Sequence, residues 1–201
     1  MSNKLNNTEA SADDVFSNLL AQKLRRERTA KNWSIAELAL ASGVSKAMIS
    51  KIERAETSPT AALLGRISGA FGISISNLLA STEADRGNNR VIRNSDQEIW
   101  QDPETGYIRR ALTPPGAEPE MISIELPPEA SITYPSSSYG FVKGHCVWVM
   151  SGRLEITEAG ETTDLCKGDC YVFDLSQVCE RTYTNPTQSQ IARYIVSLTH
   201  R

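Results

Sequence analysis

Between residues 15 and 79 the apolar positions recur at helical spacing. From residue 90 onward they fall in short alternating runs separated by Pro and Gly turns. Val15, Phe16, Leu19, Leu20 and Leu24 make one face of a first helix that ends near Asn32. Ser34 and Glu37 form an S-x-x-E capping box that opens a short second helix, and Gly43 closes it. Ser45 caps a third helix, Lys46 to Arg54. Ser58-Pro59 supplies an N-cap and a first-position proline for a fourth, which carries Leu63, Leu64, Ile67 and Phe71 and stops at Gly72. Ser74 opens a last turn through Leu78 and Leu79.

The second half predicts strands over 90–93, 97–101, 107–112, 120–126, 131–133, 145–151, 153–157, 170–174, 179–184 and 190–198. Many short strands at such spacing point to a sandwich or barrel. The polar stretch 81–89, which contains Gly87, reads as a linker. The expected organisation is multidomain, α then β: a disordered tail at 1–12, a helical domain at 13–80, the linker, and a β domain at 90–201.

Charge divides the chain at the same place. Residues 20–80 carry nine Lys/Arg and four Glu, a net +5, whereas residues 81–201 carry eleven Lys/Arg against seventeen Asp/Glu, a net −6. A basic head on an acidic body fits a polyanion-binding module whose companion domain avoids nucleic acid. No apolar run approaches the roughly 18 residues a membrane span needs. The first fourteen residues are polar and lack the apolar centre of a signal peptide. A cytoplasmic protein without a membrane partner is therefore expected. Cys146, Cys166, Cys170 and Cys179 are then expected to be buried strand thiols rather than a disulfide framework.

The run from Ser34 to Thr60 carries the chemistry. Two short helices across a glycine turn are the frame of a helix-turn-helix. Leu38, Ala39, Val44, Ile49 and Ile52 supply the apolar contacts between them. On the third helix Ile49, Ile52 and Met48 face inward, and Lys46, Ala47, Ser50, Lys51 and Arg54 fall on the other side, a face without an acid. Its N-terminal end adds free N–H groups and a positive dipole, which favour phosphate. An isolated basic face is usually just solvated; the capped support helix and the turn give this one a purpose.

Over about 56 residues, Leu24 to Leu79, the sequence resembles the Xre/Cro family of phage-repressor-like helix-turn-helix domains. The residues that carry the likeness are Leu24-Arg25, Arg28, Ser34-Ile35-Ala36-Glu37-Leu38-Ala39, Gly43-Val44-Ser45, Ile49-Ser50, Ile52-Glu53-Arg54 and Ser58-Pro59. The resemblance implies a five-helix, lambda-repressor-like DNA-binding domain with helix 46–54 in the major groove. Its base-reading positions fall on Lys46, Ala47 and Lys51, with Ser45 and Ser50 beside them, and its phosphate positions on Ser34, Ile35 and Arg54. Many family members carry Gln or Thr where Ile35 stands, so only the backbone N–H is expected to serve there. The resemblance further implies a structural ion pair between Arg28 and Glu53. Two or three base contacts discriminate by roughly 1–3 kcal/mol each, which barely reaches the roughly 4–10 kcal/mol of specific binding. A homodimer on a two-fold operator in double-stranded DNA is therefore expected.

The β half resembles a single-domain cupin, a jelly-roll or double-stranded β-helix barrel. Val147-Trp148-Val149-Met150-Ser151-Gly152 match the end of the first motif, Leu165, Gly168-Asp169 and Phe173 the start of the second, and Asn185 its end. The metal-binding positions depart from the pattern. They fall on His145, on Ser138–Phe141, where there is no His, and on Arg181. No metal or other cofactor is therefore expected, although a Cys/His set of His145, Cys146, Cys166 and Cys170 exists on paper. Strand alternation groups His145 with Val147 and Val149, and Arg181 with Tyr183. The resemblance turns both faces into the barrel. Two readings stay open there. His145, Arg181 and Tyr183 bind a small anionic effector, or Arg181 pairs with an internal acid and His145 is a hydrogen-bonded core residue. The expected function is a sequence-specific transcriptional regulator, not an enzyme, modulated by a small molecule. The alternatives are a cupin-type dioxygenase or isomerase with a DNA-binding head, and an antitoxin-like repressor whose barrel senses nothing.

Overall fold

The computed structural model describes residues 12–80 and 91–201. Of the expected tail only Ala12, which opens the first helix, lies among them, and the linker 81–89 lies outside. The helical domain is five helices: α1 Ala12–Ala30, α2 Ile35–Ser42, α3 Lys46–Glu53, α4 Ala61–Phe71 and α5 Ile75–Leu79. The predicted local signals operate at most of their ends. Ser34 and Glu37 close a reciprocal capping box, with the Glu37 N–H donating to Ser34 Oγ at 3.2 Å and the Ser34 N–H to Glu37 Oε2 at 2.7 Å. Gly43 takes the left-handed conformation that ends α2. Ser45 and Ser74 cap α3 and α5. The fourth helix departs from expectation. Thr60, not Ser58, is its N-cap, and Asp102 of the β domain accepts the Ala61 N–H. Its start is therefore set by a carboxylate that arrives from elsewhere in the chain. Leu24, Leu38, Ile49, Ile52, Leu64, Ile67 and Leu78 fill the core, each essentially inaccessible.

The β domain is two antiparallel sheets. One runs β1-β2-β3-β10-β5-β8, from Ile99–Gln101, Ile108–Ala111, Glu120–Leu126, Ala192–His200, Val142–Ser151 and Cys170–Val172. The other runs β4-β9-β6-β7, from Ser131–Tyr134, Arg181–Thr184, Arg153–Glu158 and Glu161–Cys166. After the β1-β2-β3 meander the chain crosses between the sheets at every step except the β6–β7 hairpin, as in a jelly roll. Strand alternation places Val147, Val149, Leu154, Ile156, Tyr183 and Tyr194 inside. Two strand expectations change. Residues 91–93 are not a strand, and a short 3-10 turn follows at Asn94–Asp96. Glu161–Cys166 is a strand that its own pattern conceals, because only Leu165 is buried; it is ordered by pairing with β6 from Arg153 to Glu158.

The two domains are packed together. A second 3-10 turn, Ser136–Tyr139, lies against α4, and Ser138 Oγ donates to Gly65 O at 2.9 Å. Arg109 Nη2 donates to Ser76 Oγ at 2.7 Å. The approach is close enough to require glycine. A Cβ at Gly65 would lie 2.6 Å from the Tyr134 ring, and one at Gly69 would lie 2.7 Å from Ser137 O.

Candidate nucleic-acid interface and barrel cavity

The third helix is held onto the first by a bidentate ion pair. Arg28 Nε and Nη2 meet Glu53 Oε1 and Oε2 at 2.6 and 2.9 Å, and Arg28 Nη1 donates to Trp33 O at 2.7 Å. Glu53 is almost wholly buried, so the pair aims α3 rather than facing solvent. The hydrogen bonds from Arg28 to Glu53 hold the guanidinium charged, more than offsetting its desolvation.

With α3 fixed, Lys46, Ala47, Lys51 and Arg54 are exposed, and Ser45 opens the same face. Three details refine the expected site. Ser45 Oγ accepts the Met48 N–H at 3.2 Å, so this hydroxyl is engaged in capping. Ser50 is half-buried and accepts from Arg54 Nη1 at 2.6 Å. The face itself carries no acid, but Glu56, just beyond the helix, pairs with Arg54 at 2.6 and 2.8 Å. A phosphate must compete with Glu56 for Arg54. Lys46 and Lys51 carry the exposed charge of the helix.

On α2, Ser34 is exposed, but its hydroxyl and its N–H are both engaged in the capping box. The Ile35 side chain packs against the core, leaving only main chain for a phosphate at this helix start.

Inside the barrel the structure separates the three residues expected to bind a ligand. Arg181 is 1% exposed and spoken for: Nε donates to Glu158 Oε1 at 2.7 Å, Nη2 to Asp174 O at 3.2 Å, and its guanidinium lies 4.4 Å from the Tyr139 ring. Glu158 in turn accepts from Tyr171 Oη at 3.1 Å. The expected free fork for a carboxylate is therefore absent, and the internal-acid reading of Arg181 is the one the geometry supports. His145 and Tyr183 do line a common cavity, with Tyr183 Oη 3.3 Å from His145 Nε2. The imidazole stacks on Phe173 at 3.9 Å and on Tyr139 at 5.3 Å. Burial, assisted by the charge of Arg181, pushes its pKa down to about 3, so it is neutral near pH 7.

The cavity, about 60 Å³, also touches Arg109, which the sequence reading passed over, and Ser68, Ser74 and Ile75 of the helical domain. Alternation along β2 places Arg109 inward beside the buried Tyr107. Nothing local signals that α4 and α5 cover the barrel.

The donor set does not fit the metal that the cupin fold implies. One imidazole faces the interior, and a buried guanidinium stands nearby, which repels a divalent cation. Cys146 lies on the opposite face of β5 from His145, with Cys170 beside it on the neighbouring strand, so His145 is not brought together with the thiols. The expectation of buried cysteines is corrected: two are exposed and two half-buried, because they occupy outward positions on their strands or a loop.

Residues 24–78 match the helix-turn-helix family designated HTH_3. The matched segment contains the α2–turn–α3 unit, and the domain that follows it is a two-sheet β sandwich. Among individual proteins, the chain is 38% identical over 65 residues to the HTH-type transcriptional regulator SutR of Escherichia coli (strain K12). That match covers 32% of this chain and 36% of the relative, so it spans little more than a third of that protein. The crystal structure of an HTH_3 family transcriptional regulator from Vibrio cholerae superposes with a TM-score of 0.74 at 22% identity, covering 94% of this chain and 99% of that one. That likeness extends the shared fold through both domains. Hydroxypropylphosphonic acid epoxidase from S. wedmorenis aligns at 16% identity over 92% of this chain and 100% of its own, with a TM-score of 0.45, too loose a likeness to bear on function. No helix among the described residues is long and apolar enough to cross a membrane.

Proposed function

We propose that this chain is a sequence-specific, DNA-binding transcriptional regulator that works as a homodimer in the cytoplasm, with α3 in the major groove and the barrel as a sensor of a small molecule. The observation that carries the reading is the exposed Lys46–Lys51 face of a helix clamped from behind by Arg28 and Glu53. Lys46, Ala47 and Lys51 are placed to meet base edges. Main-chain groups at the start of α2 and Arg54, once drawn from Glu56, flank them for phosphate. The resemblance to regulators over residues 24–78 supports the same use of the domain.

The barrel acts on DNA binding only as far as its occupant binds the two states unequally. We assign it no catalytic step. Its one interior imidazole is neutral and stacked, and its arginines are paired with carboxylates. The full-length protein is mixed with sheared genomic DNA, and retained fragments are sequenced. The expected result is enrichment of a two-fold-symmetric site with half-sites about one helical turn apart, lost in the Lys46→Gln/Lys51→Gln variant. Equal enrichment by that variant contradicts the reading.

A further inference from the structure

We propose that the cavity beneath α4 and α5 is the effector site and takes a small, uncharged, hydrogen-bonding compound that touches both domains at once. The proposal rests on the regulator reading and gives its sensor a location and a ligand class. Three observations lead to it.

The first is position. The walls belong to two domains: Arg109, His145 and Tyr183 come from the barrel, and Ser68, Ser74 and Ile75 from the helical domain. An occupant therefore contacts the domain that carries α3 without any relay through the barrel wall.

The second is an unmet group. His145 is 4% exposed, and its Nδ1 is buried without a hydrogen-bond partner, while Nε2 is shared with Tyr183. Buried polar atoms in folded proteins are nearly always partnered, so an orphan on a cavity wall marks a place for a bound group.

The third is charge. The buried arginines are already matched, Arg109 with Glu120 at 3.3 Å and Arg181 with Glu158 at 2.7 Å. Glu120 also lies 3.2 Å from His200 Nε2. The Tyr134, Tyr183 and Tyr194 hydroxyls are kept protonated by burial. An ion entering this interior would be an unmatched charge out of water, whichever its sign. An uncharged compound with a donor and an acceptor meets the imidazole, phenol and serine groups on equal terms. The anionic effector expected from the sequence depended on a free Arg181, and Arg181 is not free.

The cavity of about 60 Å³, at roughly 15 Å³ for each water-sized sphere, has room for about four waters, which suits about four non-hydrogen atoms. Acetamide and acetate have that size and one shape, and differ in charge. The test titrates each, at equal ionic strength, into the full-length ¹⁵N-labelled protein and follows backbone amides and the His145 ring nitrogens. Acetamide is expected to give saturable shifts at His145 and at Ile75 together, with acetate at least tenfold weaker. Ile75→Phe, which fills the cavity from the helical side, is expected to abolish the response. Equal shifts with acetate, shifts confined to one domain, or an undiminished response in Ile75→Phe would each overturn the proposal. The Lys46/Lys51 comparison is scored without either probe, so failure here and failure of the regulator reading are told apart.

Discussion

Arg181 shows how one buried charge is kept. Its guanidinium is satisfied by Glu158 and Asp174 O and is flanked by the Tyr139 and Phe173 rings. Removing one partner of such a pair leaves the other charge buried and alone. Arg181→Ala is therefore expected to cost about 3–5 kcal/mol, measured by urea unfolding. Replacing the pair together, Arg181→Met with Glu158→Leu, is expected to recover most of that loss. His145 sets an acid limit. Its folded pKa of about 3 lies below its ordinary 6.5, so the unfolded chain binds a proton that the native protein refuses. The stability this contributes is complete above pH 6.5 and is lost as the pH falls toward 3, by up to about 1.4 kcal/mol per pH unit. His145→Phe keeps the ring between Tyr139 and Phe173 and is expected to flatten that slope, read from urea midpoints between pH 7 and 4.

Among the elements, α4 does two jobs: it packs the helical core through Leu64 and Ile67, and it docks the barrel through Gly65 and Gly69. Alanine at 69 favours an isolated helix by about 1 kcal/mol. Here its Cβ meets main chain, which cannot swing aside, and overpacking of this kind costs about 1–3 kcal/mol. Gly69→Ala is expected to loosen the domains without melting the helices. Small-angle scattering should show a larger radius of gyration at unchanged helical circular dichroism; an unchanged radius would contradict the docking role.

The same helix shows where sequence reading stops. The Ser34–Glu37 box, the Ser45 cap and the Gly43 turn are legible because partner and signal lie within a few residues. Arg28 and Glu53 were reachable only through the family resemblance. The Asp102 carboxylate at the start of α4 carries no local signal, since it arrives from a segment the pattern cannot connect to it, whereas the polar strand Glu161–Cys166 lacks alternation and is ordered by its hairpin with the neighbouring β6. Alternation only groups Arg181 with Tyr183, and it is the resemblance that turns this face into the barrel, where both are buried; the partner of Arg181 on β6 lies 23 residues away, so the sequence leaves both readings of it open.

At the scale of the molecule, a basic α3 face and a neutral cavity stand at opposite duties of one packed body. Asp102 reaches from the barrel to α4, Arg109 to Ser76, and Ser138 to Gly65, so the barrel and the helical domain that carries α3 meet along α4 and α5. Without the α3 face, the cavity has nothing to regulate. The most direct measurement is the salt dependence of binding to an enriched genomic site. The account predicts that Lys46→Gln/Lys51→Gln lowers affinity for that site far more than for unrelated DNA, and that the slope of log K against log salt falls by at most about 0.9 for each lysine that also neutralises a phosphate. The same affinity and the same slope in the variant and the parent protein would contradict it.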